Sequence, residues 1–465
     1  MSSTADADAT KSALASSSLR SHRSASSRRY AALVPGGVRV QLGKDEPARD
    51  RALAQRAEYL RQQMSTIEGA RSASKAYEFA SVLQEQAERR GASEDDVREE
   101  LLARACDAYG KAQAIELARK GNDDETTTTS VVNERDDIAS AHAVLYNWAI
   151  ALGDRAARAT KKPNDSSLAI KLWDEAIDKY EKAACCARMS ANVFTGGVTT
   201  QQATQGLNNL GLAQQARAQC VDFASCADVE DLQRARLVRV GFLQLAVGNF
   251  RRALRREPCF DRGVYNLGTA TYALNAEFAA LRATAGATSG DAGASDEWAE
   301  KSKEYAASSA VYVAFALANA PTNSVFKQSF ALVKHLLPSP NALVGTFAFR
   351  ADFGASRGDA DVAFVTVRVV LDAHRVCAHS IGASEAVVDI ALADVASCEP
   401  MEDSSLPSDV ACFAMASRDA EAPIMLFTSS NARARDLWVD GIILASSLAR
   451  RHRQRALEAV LAHES

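Results

Sequence analysis

Histidine, cysteine and asparagine are the side chains whose spacing in this sequence decides what chemistry the chain could do. The nine cysteines are scattered without a Cys-x-x-Cys pair, and none has a histidine at the spacing that zinc sites use. The seven histidines are dispersed as well, and His374 and His379, near a predicted strand end, are typical of exposed loop positions. Walker, HExxH, GxSxG and glycine-rich dinucleotide motifs do not occur in the sequence. We therefore predict that the protein is not an enzyme and holds no metal or cofactor.

Asparagine offers a different chemistry, because a carboxamide both donates and accepts hydrogen bonds and can hold the backbone of an extended peptide. Three asparagines fall at one position of a repeat, and a polar residue precedes each of them. The six candidate protein-binding residues are Tyr146, Asn147, Asn208, Asn209, Tyr265 and Asn266. The alternative is that these amides bond to a neighbouring helix or to water, and the sequence leaves both interpretations open.

The helices that must position these asparagines are predicted from a repeat of a small residue, an aromatic residue four positions later and a small residue three further on. The four copies are Ala105/Tyr109/Ala112, Ala176/Tyr180/Ala183, Ala246/Phe250/Ala253 and, in degraded form, Ser309/Val313/Ala316. This pattern resembles the second helix of a tetratricopeptide repeat. Pro258 and Pro321 follow the last two copies by five residues, as a helix-ending proline would.

The first helix of each pair has a small residue where it would meet the second helix. These small residues are Ala80, Ala149, Gly211 and Gly268. They lie 25 to 41 residues before the matching triplet instead of about 12, so we predict inserted loops at 121–135, 160–167 and 283–296. Trp148 and Trp173 are predicted to pack between helices. The repeat predicts an α-solenoid over residues 51–340 whose concave surface, lined by first helices, presents the asparagines.

After Pro338 and Pro340 the hydrophobic period shortens toward two, which predicts a separate β-domain over residues 341–455. The predicted strands are 362–371, 387–397, 410–416 and 424–428, and an amphipathic helix follows at 432–448. Short strands closed by one helix with a central tryptophan, Trp438, resemble the pleckstrin-homology (PH) fold. The fold class is therefore multidomain α + β, an α-solenoid followed by a PH-like barrel, with an unrelated β-sandwich as the alternative for the second part.

The charge balance of the C-terminal part disfavours binding of anionic lipid headgroups. Residues 341–465 contain 11 arginines and no lysine against 17 acidic residues. The one basic cluster, Arg450, Arg451, Arg453 and Arg455, could contact an acidic partner or a membrane surface. Cations are also favoured at the end of a helix by its macrodipole, and that interpretation is preferred.

The remaining composition limits location and partners. A net charge of −4 is unlike that of a general nucleic-acid binder, and no apolar run is long enough to span a membrane, so any membrane contact would be peripheral. Residues 1–50 are predicted to be a disordered Ser/Arg-rich tail, or alternatively a plastid transit peptide, and residues 456–465 to be a second tail.

Several segments together resemble the plant HYPERSENSITIVE TO LATRUNCULIN B family of tetratricopeptide proteins. They are LYNWAIALGDRA (145–156), LWDEAIDKYEKA (172–183), LNNLGLAQQ (207–215), YNLGTATYAL (265–274), SAVYVAFAL (309–317) and LVKHLLPSP (332–340). The resemblance implies a protein of the green lineage that acts at the trans-Golgi network or early endosome and links membrane traffic to actin. It implies no catalytic residues.

These patterns predict a cytoplasmic, non-catalytic adaptor whose partners are proteins, either extended peptide segments or trafficking factors, with no nucleic acid bound. A plastid co-chaperone or assembly factor built on the same helices is the first alternative. A peripheral phosphoinositide-binding protein is the second.

Overall fold

The computed structural model describes residues 46–122, 131–191, 198–288, 292–337, 343–350, 364–381, 386–402, 410–419, 422, 424–429 and 431–462. The described chain is mainly helical and ends in a curled seven-stranded antiparallel half-barrel. It divides into two compact units, residues 1–224 and 225–465. The predictions for residues 1–45, for 123–130 and 289–291 of the first and third predicted loops, and for the proline junction at 338–340 lie outside the described residues. The described parts of these two loops are helical, so the loop prediction was wrong there.

Helices are the regular secondary structure of unit 1 among its described residues. Its helices are α1 (Glu46–Met64), α2 (Ile67–Ala70), α3 (Ala73–Arg89), α4 (Asp95–Asn122), α5 (Val131–Ala159), α6 (Ser166–Ala191) and α7 (Thr200–Gln219). Side-chain caps mark several starts: the Ser72 hydroxyl accepts from the Lys75 amide, and Thr199 and Gln202 form a capping box at α7. The predicted loop at 160–167 is a turn with a short 3-10 helix, Pro163–Asp165.

Helix α1 is an addition that the repeat pattern did not predict. Leu53 and Leu60, seven residues apart, are buried, and α1 packs against α3. Ion pairs join the two helices, including Arg49 with Glu85. The helix therefore covers a face of α3 that would otherwise be exposed.

Unit 2 begins with four helices, α8 (Val229–Arg256), α9 (Asp261–Thr288), α10 (Ala292–Asn319) and α11 (Ser324–Val333). Helices α9 and α10 approach closely at Gly268, where an added Cβ would lie 2.8 Å from Val313 Cγ2. The Ser309 hydroxyl donates to the Gly268 carbonyl over 2.8 Å. The small residue predicted for the first helix therefore meets the triplet predicted for the second.

Every triplet residue is buried. The most exposed of the twelve, Tyr180, has 4% of its surface accessible. Trp148 and Trp173 pack as predicted, since an added Cβ at Gly110 or at Gly153 would lie 3.3 Å from the nearest atom of the respective indole ring. The triplet residues thus lie in the buried core of the unit that contains them, and both tryptophans pack between helices.

The sheet has the strand order β4-β3-β2-β1-β7-β6-β5, with every neighbouring pair antiparallel. The strands are β1 (Leu343–Arg350), β2 (Val365–Leu371), β3 (Arg375–Ser380), β4 (Ala386–Ala391), β5 (Val395–Met401), β6 (Ala411–Ser417) and β7 (Met425–Ser429). The prediction of one strand at 387–397 was wrong, because a 3-10 turn at Leu392–Asp394 divides it into β4 and β5.

Helix α12 (Ala432–Arg450) packs against the sheet, and Trp438 meets Phe347 edge-to-face with ring centroids 5.0 Å apart. Gly345 makes room for the indole, because a Cβ there would lie 2.9 Å from it. The tail predicted at 456–465 was also wrong in part: helix α13 (Gln454–Leu461) follows, and its Leu457 and Val460 are buried.

Candidate functional site

The predicted asparagine ladder lies between helices. Asn147 has 1% of its surface exposed, and its Nδ2 donates to the Tyr77 hydroxyl of α3 over 2.7 Å. Asn209 is 4% exposed, and its Nδ2 donates to the Tyr146 hydroxyl of α5 over 2.8 Å. Burial raises the pKa of the Tyr77 hydroxyl.

The two contacts follow one rule. Tyr77 and Tyr146 occupy equivalent places in successive first helices, and each accepts from the asparagine that lies one place further along in the next first helix. In unit 2, Tyr265 on α9 shares a hydrogen bond of 2.9 Å with Ser329 on α11, which continues the rule with a hydroxyl in place of the amide.

The remaining candidate ladder residues are equally enclosed. Asn208 is 3% exposed, Tyr265 is 4% exposed and Asn266 is 2% exposed, whereas Tyr146 is half-buried. A side chain this deeply covered cannot offer both its donor and its acceptor to an extended peptide. The structure therefore favours the alternative that was open at the sequence level, in which the amides bond neighbouring helices.

The basic cluster follows the end of α12 and is largely engaged with the protein itself. Arg450 donates to the Val395 carbonyl over 3.1 Å, and Arg453 donates to the Asn319 carbonyl over 2.7 Å. Arg451 bonds the Asn319 side chain, while Arg455 lies exposed on α13. These bonds attach the end of α12 to the sheet and to α10, while all four arginine side chains stay exposed and their acceptors are neutral.

A buried ionic cluster in unit 2 was not predicted from the sequence. Arg251 on α8 donates to Asp440 over 2.8 Å and to Asp436 over 2.9 Å, both on α12. The Tyr312 hydroxyl of α10 donates to Asp440 over 2.7 Å. Asp440 has 0% of its surface exposed, and this burial raises the pKa of its carboxyl group.

This cluster attaches the helix that packs on the sheet to α8 and α10. Its sequence signal was weak but present: Asp440 is an acidic residue inside the apolar run of Trp438, Val439, Gly441 and Ile442. An isolated charge at such a position needs a buried partner. The cluster provides one, and its role is structural.

The most exposed apolar surface in unit 2 that lies on one helix belongs to α8. Leu237, Val238 and Leu245 have 46%, 53% and 55% of their surfaces exposed. The opposite side of α8 buries Leu243, Phe250 and the other core residues of the helix. Three aliphatic side chains on the solvent side of an otherwise amphipathic helix are typical of an interaction surface.

Among the described residues, no group of three histidines, cysteines or acidic residues is arranged to hold a metal ion. Burial raises the pKa of Cys106 to about 12 and also raises that of Cys398, so neither thiol is poised as a nucleophile. Within the described part of the chain, each helix is too short or too polar to cross a bilayer.

Comparison with known proteins adds no identification, since no family model and no curated protein matches the chain.

Proposed function

We propose that the protein is a non-catalytic adaptor whose helices are tetratricopeptide-type repeats. The observation that carries this proposal is the burial of all twelve triplet residues, together with the close approach of Gly268 to Val313. The Tyr–Asn bonds between successive first helices add a regular link of the kind that stacked repeats need. Repeat arrays of this class present extended surfaces to other proteins.

The C-terminal sheet is proposed to be PH-like. Two features support this: the order β4-β3-β2-β1-β7-β6-β5, in which β1 pairs with β7, and the helix that follows β7 and inserts Trp438 against the sheet. A role in docking protein is preferred over lipid recognition, because residues 341–465 contain 17 acidic residues against 11 arginines and no lysine.

The proposed setting is membrane traffic at the trans-Golgi network or early endosome, with a link to actin. It rests on the resemblance to the HYPERSENSITIVE TO LATRUNCULIN B family. The plastid co-chaperone alternative uses the same helices and differs in compartment.

A fluorescent fusion of the full chain, expressed in a green-lineage cell, tests the compartment. We expect peripheral puncta that overlap a trans-Golgi marker, and affinity capture from the same cells should recover trafficking proteins. Import into plastids would refute the endosomal setting. Failure of the wild-type chain to capture any protein reproducibly would refute the adaptor itself.

Anionic vesicles test the lipid alternative. The acidic balance of residues 341–465 predicts little sedimentation of the full chain with vesicles that contain a phosphoinositide. Strong sedimentation that disappears when Arg455 is changed to glutamate would favour lipid binding over protein docking.

A further inference from the structure

The exposed side of α8 is an ordered strip, which we call the α8 face. It consists of Arg234, Leu237, Val238, Gly241, Leu245, Gly248, Arg252 and Arg256. Val238, Gly241, Leu245 and Gly248 are separated by three, four and three residues, so they follow one side of the helix. Val238 and Leu245, seven residues apart, lie roughly 10 Å apart along the axis.

Within unit 2 the strip is open at its two glycines. A Cβ added at Gly241 or at Gly248 would have no atom within 4 Å. Val238 and Leu245, which flank Gly241, are both more than half exposed. The two glycines leave shallow notches between the aliphatic side chains, and notches of this kind admit the side-chain ridge of another helix.

The exposed charge at one end of the strip is positive. Helix α8 contains seven arginines and two acidic residues, Glu230 and Asp231, both in its first turn. Arg236 and Arg239 pair with Glu277, and Arg251 and Arg255 pair with Asp436. Arg234 is at one end of the strip, and it pairs with Asp231. Arg252 and Arg256 are exposed at the other end. A complementary partner would therefore be acidic beside its apolar residues.

We propose that the α8 face binds an acidic amphipathic helix of a protein partner. The inference rests on the proposed adaptor function and names the class of partner that this surface would accept. Apolar residues of the partner at positions i, i+3 or i+4, and i+7 would lie over Val238, Leu245 and the two notches, as in helix-in-groove recognition. Its carboxylates would lie near Arg252 and Arg256, which would give specificity and faster association.

The inference is tested with synthetic peptides and the full chain. The probe is an 18-residue helical peptide with leucine at every third or fourth position and glutamate between. One control peptide has the same composition in scrambled order, and another has lysine in place of glutamate. We expect the acidic amphipathic peptide alone to bind in fluorescence anisotropy, and its affinity to fall as salt is raised.

Variants of the protein test whether the peptide binds at the α8 face. Val238→Ser with Leu245→Ser should weaken binding at least about tenfold, because anchors of this kind supply most of the affinity. Arg256→Glu should weaken binding of the acidic peptide and strengthen binding of the lysine peptide. Leu332→Ser on α11 is the matched control, since Leu332 is 46% exposed and should not affect binding.

Gly248→Gln separates a loss of peptide binding from a loss of folding. It fills a notch on the exposed side, and it should leave the melting temperature unchanged or higher because glutamine favours helix over glycine. It should nevertheless weaken peptide binding. Binding that is unchanged in Gly248→Gln and in Val238→Ser with Leu245→Ser overturns the inference, as does equal binding of the scrambled peptide.

Binding of a second copy of the chain or of a membrane at the α8 face would give different experimental results. Dimers of the wild-type chain in sedimentation equilibrium that Leu245→Ser converts to monomers would assign the face to a second copy. Binding to vesicles of phosphatidylcholine and phosphatidylserine that Leu245→Ser abolishes would assign it to a membrane. Partner capture that is unchanged in Val238→Ser with Leu245→Ser would overturn this inference and leave the adaptor proposal standing.

Discussion

Replacing Gly268 with alanine should destabilise unit 2, although alanine favours helix over glycine by about 1 kcal/mol. The new Cβ would lie 2.8 Å from Val313 Cγ2 and 3.3 Å from the Val313 amide nitrogen. Val313 is 2% exposed and β-branched, so it cannot turn aside, and overpacking of this kind costs about 1–3 kcal/mol. Helix separation would also weaken the Ser309–Gly268 hydrogen bond, which contributes about 1 kcal/mol. The expected net loss in free energy of unfolding is about 1–2 kcal/mol.

Gly248→Ala is the matched control, because Gly248 is also inside a long helix of unit 2 and its Cβ would meet nothing within 4 Å. Gly248→Ala should raise the free energy of unfolding by about 1 kcal/mol, so the free energies of unfolding of the two variants should differ by about 2–3 kcal/mol. Urea titrations of the full chain, with hydrogen exchange of peptides from α9 and α10, measure this difference.

A double-mutant cycle identifies the contact responsible. Val313→Ala removes Cγ2, so Gly268→Ala should cost about 1 kcal/mol less in that background than in the wild type. If Gly268→Ala stabilises unit 2 as much as Gly248→Ala does, helices α9 and α10 do not meet at this point. The role assigned to the triplets in pairing helices would then be refuted.

Three further predictions concern individual side chains. Burial lowers the pKa of His142 to about 4, so the unfolded chain takes up a proton first as pH falls, and the free energy of unfolding should drop by up to about 3 kcal/mol between pH 7 and 4. His142→Gln should flatten that dependence in urea titrations, and an equally steep profile would contradict it. Tyr312→Phe should lower the free energy of unfolding by about 1.5–3 kcal/mol in the same assay, because it removes a donor to the buried Asp440. The control is Tyr272→Phe, which changes a half-buried tyrosine and should lower the free energy of unfolding little. His452, after α12, has a φ of 54°, a left-handed conformation that is strained for a residue with a Cβ. His452→Gly should therefore raise the free energy of unfolding by about 1 kcal/mol, and a lower melting temperature of this variant would refute the assignment of strain to His452.

The sequence predicted the packing positions of the helices better than the environment of their polar residues. A triplet such as Ala105/Tyr109/Ala112 identifies its own buried side, because its spacing follows the helical period. The fate of Asn147 depends on Tyr77, which is 70 residues away in the sequence. Periodicity gives the side of the helix on which an asparagine lies, but it does not name what fills the space opposite.

Strands were predicted unevenly for a physical reason. The buried, apolar β7 was found almost in register, as 424–428 against Met425–Ser429. Strand β3 (Arg375–Ser380) was missed, because its alternating inward residues are small or polar apart from Val376 and resemble a loop. Helix α13 was missed as well, since a single turn-spaced pair, Leu457 and Val460, is all that packs it.

The ionic cluster connects the fold to the proposed docking surface. A buried pair such as Arg251 and Asp440 adds little net stability when desolvation is counted, but its contacts depend on how α8, α10 and α12 are arranged. We infer that its contribution is to fix that arrangement. Since α8 is held from behind by α9, α12 and this cluster, the α8 face is presented on a rigid element. A partner helix that binds there would order few protein groups, and the entropy cost of binding would fall mainly on the partner.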